Sequence, residues 1–153
     1  MYLPFPEEMN RVLTDRITAW SFAPTELAKE NLLREGTLKE NVIVTGNTVI
    51  DALFYTVAKT SKPNISEFNK LPDGAPFLLV TAHRRESWGA PLEEICSALT
   101  ELLDSHPKLW MIIPMHKNPA VREIIKKHLA DRQQVILCDP LDYPDFVWAM
   151  NSS

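Results

Sequence analysis

Short apolar runs alternate with longer amphipathic stretches, and this alternation narrows the folds open to the chain more than any other feature. Residues 77–81 (Phe-Leu-Leu-Val-Thr), 109–113 and 135–138 are short, nearly continuous apolar segments, which suits strands buried on both faces. Between the first two of these, Leu92, Ile95, Leu99 and Leu102 recur at helical intervals, with Pro91 near the first helical position. Residues 120–129 predict a second helix and residues 143–150 a third. Ahead of them, residues 17–23 read as a strand and residues 26–35 as a helix, with Thr25 as N-cap and Gly36 at its stop. Val42, Ile43 and Val44 form a short buried strand. A helix from residue 48 to about residue 59 carries Ile50, Leu53, Phe54 and Val57 on one face. Strands that alternate with helices predict an α/β fold with parallel sheets covered on both sides.

The chain has 153 residues, enough for one good core or for parts of two domains. Residues 60–76 hold Pro63, Pro72, Gly74 and Pro76 and show little periodicity, so they are the expected linker, with a short helical turn near 65–70. A 45% share of hydrophobic residues excludes general disorder. Sixteen basic against twenty acidic residues give no nucleic-acid footprint, although a local basic site for a phosphate stays open. No apolar run approaches the roughly 18 residues of a membrane helix, and the opening residues lack the pattern of a signal peptide. Neither nucleic acid nor membrane is therefore an expected partner. Cys96 and Cys138 each lie in an apolar stretch and predict buried free thiols in a reducing cytoplasm. The chain stops at Asn151-Ser152-Ser153, just after a helix that should feed another strand, and is expected to be a fragment of a longer protein.

Open parallel sheets bind ligands beyond the carboxyl ends of their strands, which directs the search to four segments. They are Thr45-Gly46-Asn47-Thr48, residues 82–89 (Ala-His-Arg-Arg-Glu-Ser-Trp-Gly), residues 114–119 (Pro-Met-His-Lys-Asn-Pro) and Asp139-Pro140. His83 and His116 each sit beside a cation, with a helix to follow. Arg84, Arg85 and Lys117, together with helix N-termini, suit a phosphorylated ligand. The same charges also fit solvated loops. Neither GxGxxG nor GxxxxGK[ST] is present. The histidines are not at metal-helix spacing, and HExxH and CxxC are missing, so no metal site is expected. His106 and His128 read as surface residues or dipole partners at helix ends. Glu7 and Glu8 fit either a general acid or base, or the favourable acidic start of a helix.

Five blocks resemble, in order and over nearly the whole chain, the non-hydrolysing bacterial UDP-N-acetylglucosamine 2-epimerases. They are Pro-Phe-Pro-Glu-Glu-Met-Asn-Arg, Ala-Pro-Thr-Glu with Glu-Asn-Leu-Leu-Arg-Glu, Val-Thr-Gly-Asn-Thr-Val-Ile-Asp-Ala-Leu, Val-Thr-Ala-His-Arg-Arg-Glu-Ser-Trp-Gly and Pro-Met-His-Lys-Asn-Pro. Lys117 and Met115 depart from the residues usual around the last histidine. The resemblance implies Rossmann-like parallel sheets of the GT-B type, present only as parts of two domains. Residues 1–59 would end the N-terminal domain and form the crossing segment, 60–76 would be the linker, and 77–153 would be the first half of the C-terminal domain. It implies an isomerase that interconverts UDP-N-acetylglucosamine and UDP-N-acetylmannosamine by eliminating and re-adding UDP, without cofactor, for cell-envelope polysaccharide precursors. His83 and Glu7 match catalytic positions, and Arg84 and His116 match positions tied to sugar-nucleotide binding. The full-length enzyme is expected to be a cytoplasmic homodimer, and the fragment alone to be inactive. A GT-B glycosyltransferase, or a truncated chain that only binds a sugar nucleotide, are the competing readings.

Overall fold

The computed structural model describes residues 4–82 and 88–153. His83, Arg84 and Arg85 therefore lie outside the described residues. The chain divides into two compact units, Met1–Tyr55 and Thr56–Ser153.

In the first unit, α1 (Glu7–Ile17) leads to β1 (Ser21–Ala23), α2 (Glu26–Arg34), a 3-10 turn (Lys39–Asn41), β2 (Val42–Val44) and α3 (Thr48–Val57), whose last two residues belong to the second unit. β1 and β2 are parallel, with Ser21 opposite Val42 and Ala23 opposite Val44. The Thr25 hydroxyl accepts from the Ala28 amide at 3.1 Å and caps α2 as expected. Gly36, at φ +95°, ends that helix in the left-handed region, and the Thr37 amide donates back to the Leu32 carbonyl at 3.0 Å. The expected strand at 17–23 is shorter. Ile17 ends α1, because Met9, Leu13 and Ile17 continue a helical stripe at intervals of four, and extended backbone begins only at Thr18. That stripe is exposed, as are Trp20, Phe22, Leu27, Val49, Ile50 and Phe54, while Ala23 and Val42 are the buried apolar residues of the unit among those described.

The second unit has a conventional core. A 3-10 turn (Ser66–Lys70) precedes β3 (Phe77–Leu79), α4 (Ala90–Ser105), β4 (Trp110–Pro114), α5 (Pro119–Leu129), β5 (Val135–Cys138) and α6 (Tyr143–Ser152). The strands are parallel in the order β3-β4-β5, with Leu79 opposite Ile112 and Ile112 opposite Ile136. The two-residue period of β4 splits the core. Met111, Ile113 and Met115 join Leu92, Cys96 and Leu103 of α4 and Val121, Ile125 and Leu129 of α5 in one cluster. Ile112 joins Phe77, Ile136, Phe68 and Trp148 in a second. The stripe of α4 runs through Leu92, Cys96 and Leu103, with Ile95 at its rim, because Cys96 takes the helical position next to Ile95. Residues 60–76 fall in this unit, and Phe68 and Leu71 are part of its core.

Cys96 and Cys138 are free and buried, as expected. Burial, aided by Glu67 and Asp139, pushes the Cys138 thiol up to about 11. Burial, and then Glu93, pushes Cys96 up as well. Thiolate is the reactive form, so both thiols of the native chain should react with a disulfide reagent on the order of 100-fold slower than in urea. Equal rates with and without urea would contradict this burial.

Candidate functional site

The parallel order of β3, β4 and β5 brings their carboxyl ends to one edge, and the second unit has a cavity there. It measures about 200 Å³ and is lined by Thr81 and Ala82 after β3, Pro114 and His116 after β4, Pro140 and Leu141 after β5, and Phe146 of α6. Ala82, which immediately precedes His83 in sequence, and His116 both line this cavity. The Trp88 ring lies 6.4 Å from that of His116, centroid to centroid and tilted. Gly89, at φ +77°, turns the chain into α4 in a conformation that a side chain would strain.

Helix caps build the His116 turn. Asn118 is the N-cap of α5 and Pro119 its first residue, and the Asn118 side chain accepts from the Ala120 amide at 3.0 Å. The Asn118 amide donates to His116 Nδ1 at 3.1 Å. Arg122 was not singled out by sequence pattern. Its Nε donates to the His116 carbonyl at 3.0 Å and its Nη2 to Asp139 Oδ1 at 2.6 Å, which ties the turn after β4 to the turn after β5. One signal did exist: a cation near a helix N-terminus opposes the helix dipole and needs another reason to be there. Lys117 is exposed.

In the first unit the Thr45–Asn47 segment follows β2, and the Asn47 carbonyl oxygen Oδ1 accepts from the Val49 amide at 3.1 Å to start α3. Glu7 and Glu8 occupy the first turn of α1, where carboxylates favour the dipole. The two acids have different surroundings. Glu8 receives both Arg11 Nη2 at 2.6 Å and Nε at 2.9 Å, and this guanidinium holds its carboxyl below the usual range. Arg11 also reaches Asp15 at 2.7 Å and Glu35 at 2.9 Å, and its bonds to Glu8 first and then to Glu35 raise its own pKa. Glu8 is thus held ionised down to acidic pH. Glu7 is exposed and forms no ion pair among the described residues.

A larger open cavity of about 600 Å³ lies in the first unit, lined by Arg11, Trp20, Phe22 and Glu35 among others. Ser21 is buried there, with no hydrogen-bond partner for Oγ among the described residues. Arg11 is already surrounded by three carboxylates, so this cavity offers no free cation for an anionic ligand. In the second unit, His106 lies at the end of α4 with Nδ1 3.1 Å from the Leu102 carbonyl, as a dipole partner should. His128 is half-buried rather than a surface residue, because it lies one position before the core residue Leu129, and its Nε2 has no partner among the described residues. No group of three or more metal-ligating side chains occurs among the described residues. No helix among them is long and apolar enough to cross a membrane.

The sequence profile described as UDP-N-acetylglucosamine 2-epimerase matches residues 1–153. The chain is 44% identical to a protein of that name from Yersinia pestis and 41% identical to one from Escherichia coli K12, over 99% of its own length in both cases. It spans about two fifths of the length of these curated relatives, 42% of each. Among solved structures it is similar to the Neisseria meningitidis UDP-GlcNAc 2-epimerase bound to UDP-GlcNAc, with a TM-score of 0.87 and 41% identity over 98% of this chain and 42% of that one. The S. aureus MnaA–UDP co-structure matches with a TM-score of 0.89 and 45% identity, over 98% of this chain and 40% of that one. The fold is that of these neighbours, Rossmann-like parallel sheets of the GT-B type, of which the chain holds a part.

Proposed function

The chain belongs to the UDP-N-acetylglucosamine 2-epimerase family, and from that premise we propose that it is part of an isomerase that interconverts UDP-N-acetylglucosamine and UDP-N-acetylmannosamine. The observation that carries the reading is the edge of the second unit, where the segment leading into His83 and the His116 turn line one cavity.

The reaction consists of an elimination and its reverse. A base takes the C2 proton, the C1–O bond to UDP breaks, and a C1=C2 double bond forms in the sugar. Re-addition places a proton on the opposite face of C2 and returns the UDP oxygen to C1. No electrons enter or leave, so no redox cofactor is needed. Glu7 moves the proton, since Glu8 is engaged by Arg11. His83 offsets the charge that develops on the departing diphosphate. Arg84 and His116 hold the nucleotide. The enzyme works as a homodimer in the cytoplasm and supplies an N-acetylmannosamine donor to cell-envelope polysaccharide synthesis.

The test is a chimera in which these 153 residues replace the matched segment of the Yersinia pestis relative. Incubated with UDP-N-acetylglucosamine in heavy water without any acceptor, it should form UDP-N-acetylmannosamine carrying deuterium at C2. Sugar transfer that appears only when an acceptor is added would instead favour a glycosyltransferase. Catalysis needs preorganised groups on all sides of the substrate, and this chain spans 42% of its relatives. The 153-residue polypeptide alone is therefore expected to give no detectable product, and turnover by purified material would overturn that expectation.

A further inference from the structure

We propose that Arg122 is a positioning residue that fixes the His116 turn and thereby presents His116 Nε2–H as a donor to the bound nucleotide. The inference rests on the proposed function for the identity of the ligand, but not for the brace itself.

His116 is held at two points. Its Nδ1 lies 3.1 Å from the Asn118 amide. A backbone N–H can only donate, so Nδ1 must carry a lone pair, and the proton of the neutral ring resides on Nε2. Its carbonyl accepts from Arg122 Nε at 3.0 Å. The same guanidinium reaches the Met115 carbonyl at 3.5 Å and Asp139 Oδ1 at 2.6 Å. Met115 is itself anchored, buried in the core and donating its amide to the Cys138 carbonyl at 2.9 Å. One planar fork thus binds the turn after β4 and the turn after β5, two walls of the cavity that His116 lines. Lysine could not do this, because its ammonium is a point donor on a flexible stem. Asp139 is mostly exposed, so the ion pair alone would contribute little, and the carbonyl bonds carry the positioning. The location adds a second argument. Arg122 lies in the first turns of α5, where the dipole disfavours a cation, and its hydrogen bonds to two strand-end turns offset that disadvantage.

The experiment compares the 15N-labelled 153-residue chain with its Arg122→Met and Arg122→Lys forms. Long-range proton–nitrogen NMR reads the His116 ring, and titration with UDP reads affinity. In the unaltered chain the ring should be in the Nε2–H form. Both variants should show a mixture of tautomers and bind UDP about tenfold more weakly, the size of effect a small misplacement of a contact group produces. A ring pattern unchanged in Arg122→Met would overturn the brace, as would full restoration by lysine. If Arg122→Met fails to fold, Arg122→Gln, whose single amide cannot span both turns, should give a shift in the same direction, and no shift would overturn the brace. A ring that responds in a chain that does not bind UDP would leave the brace standing and remove the nucleotide reading. UDP binding by a chain whose ring ignores Arg122 would do the reverse.

Discussion

Phe68→Ala should destabilise the second unit by about 3–5 kcal/mol, the range for removing a fully buried aromatic ring. Phe68 is 0% exposed and its ring lies 5.8 Å from that of Trp148, centroid to centroid. It shares a cluster with Leu71, Phe77, Ile112, Ile136 and Cys138, on the face of the sheet away from α4 and α5. The truncation would leave a cavity between α6 and the sheet, against side chains that strand geometry keeps in place. Ordinary domains are stable by only about 5–15 kcal/mol, so the loss is a large part of the total. Urea unfolding of the 153-residue chain, followed by tryptophan fluorescence, measures it. A residue in a true linker would change stability by less than about 0.5 kcal/mol. That result would return residues 60–76 to the role of a tether and take Phe68 out of the core.

Phe68 also shows which parts of the fold could be read from sequence. β4 and β5 were legible because strands buried on both faces are apolar throughout, whatever packs on them. α4 was legible because Pro91 marks its start by local chemistry, whereas the Asn118 cap of α5 came from the structure. Residues 60–76 have no such local rule. Prolines and a glycine remove periodicity there, while a single aromatic residue secures the segment by a contact distant in sequence. Ile17 raised the opposite problem, since the run from Ile17 to Ala23 alternates acceptably for a strand and also closes the stripe of α1. The candidate site divides in the same way. His116 and Glu7 could be picked out because their residue types and their places after a strand or at a helix start carry meaning. The engagement of Glu8 by Arg11 and of the His116 carbonyl by Arg122 depends on rotamers and on how helices approach the strand ends, which spacing does not encode.

Replacing His83 by Ala in the chimera is expected to lower kcat by roughly 10²–10⁴-fold, the usual worth of a positioned proton donor or of charge stabilisation at a leaving group. The chemistry explains why the effect should fall on kcat. The C2 proton of the sugar has no carbonyl beside it in the ring to accept the electron pair, so departure of UDP has to draw that pair into the new double bond. Negative charge therefore grows on the diphosphate oxygen as C1–O breaks, and a cationic imidazole there stabilises the transition state more than the bound substrate. His116 should behave differently. Under the proposed function its Nε2–H holds the nucleotide equally in the bound substrate and in the transition state, so His116→Ala should raise KM several-fold and leave kcat closer to that of the parent. The two substitutions thus test separate claims about segments that meet at one cavity, Ala82 on one wall and His116 on another. Turnover unchanged in the His83 variant would remove the histidine from the chemistry. A loss confined to KM would move it into the nucleotide site beside His116 and leave stabilisation of the leaving diphosphate to Arg84 or Arg85.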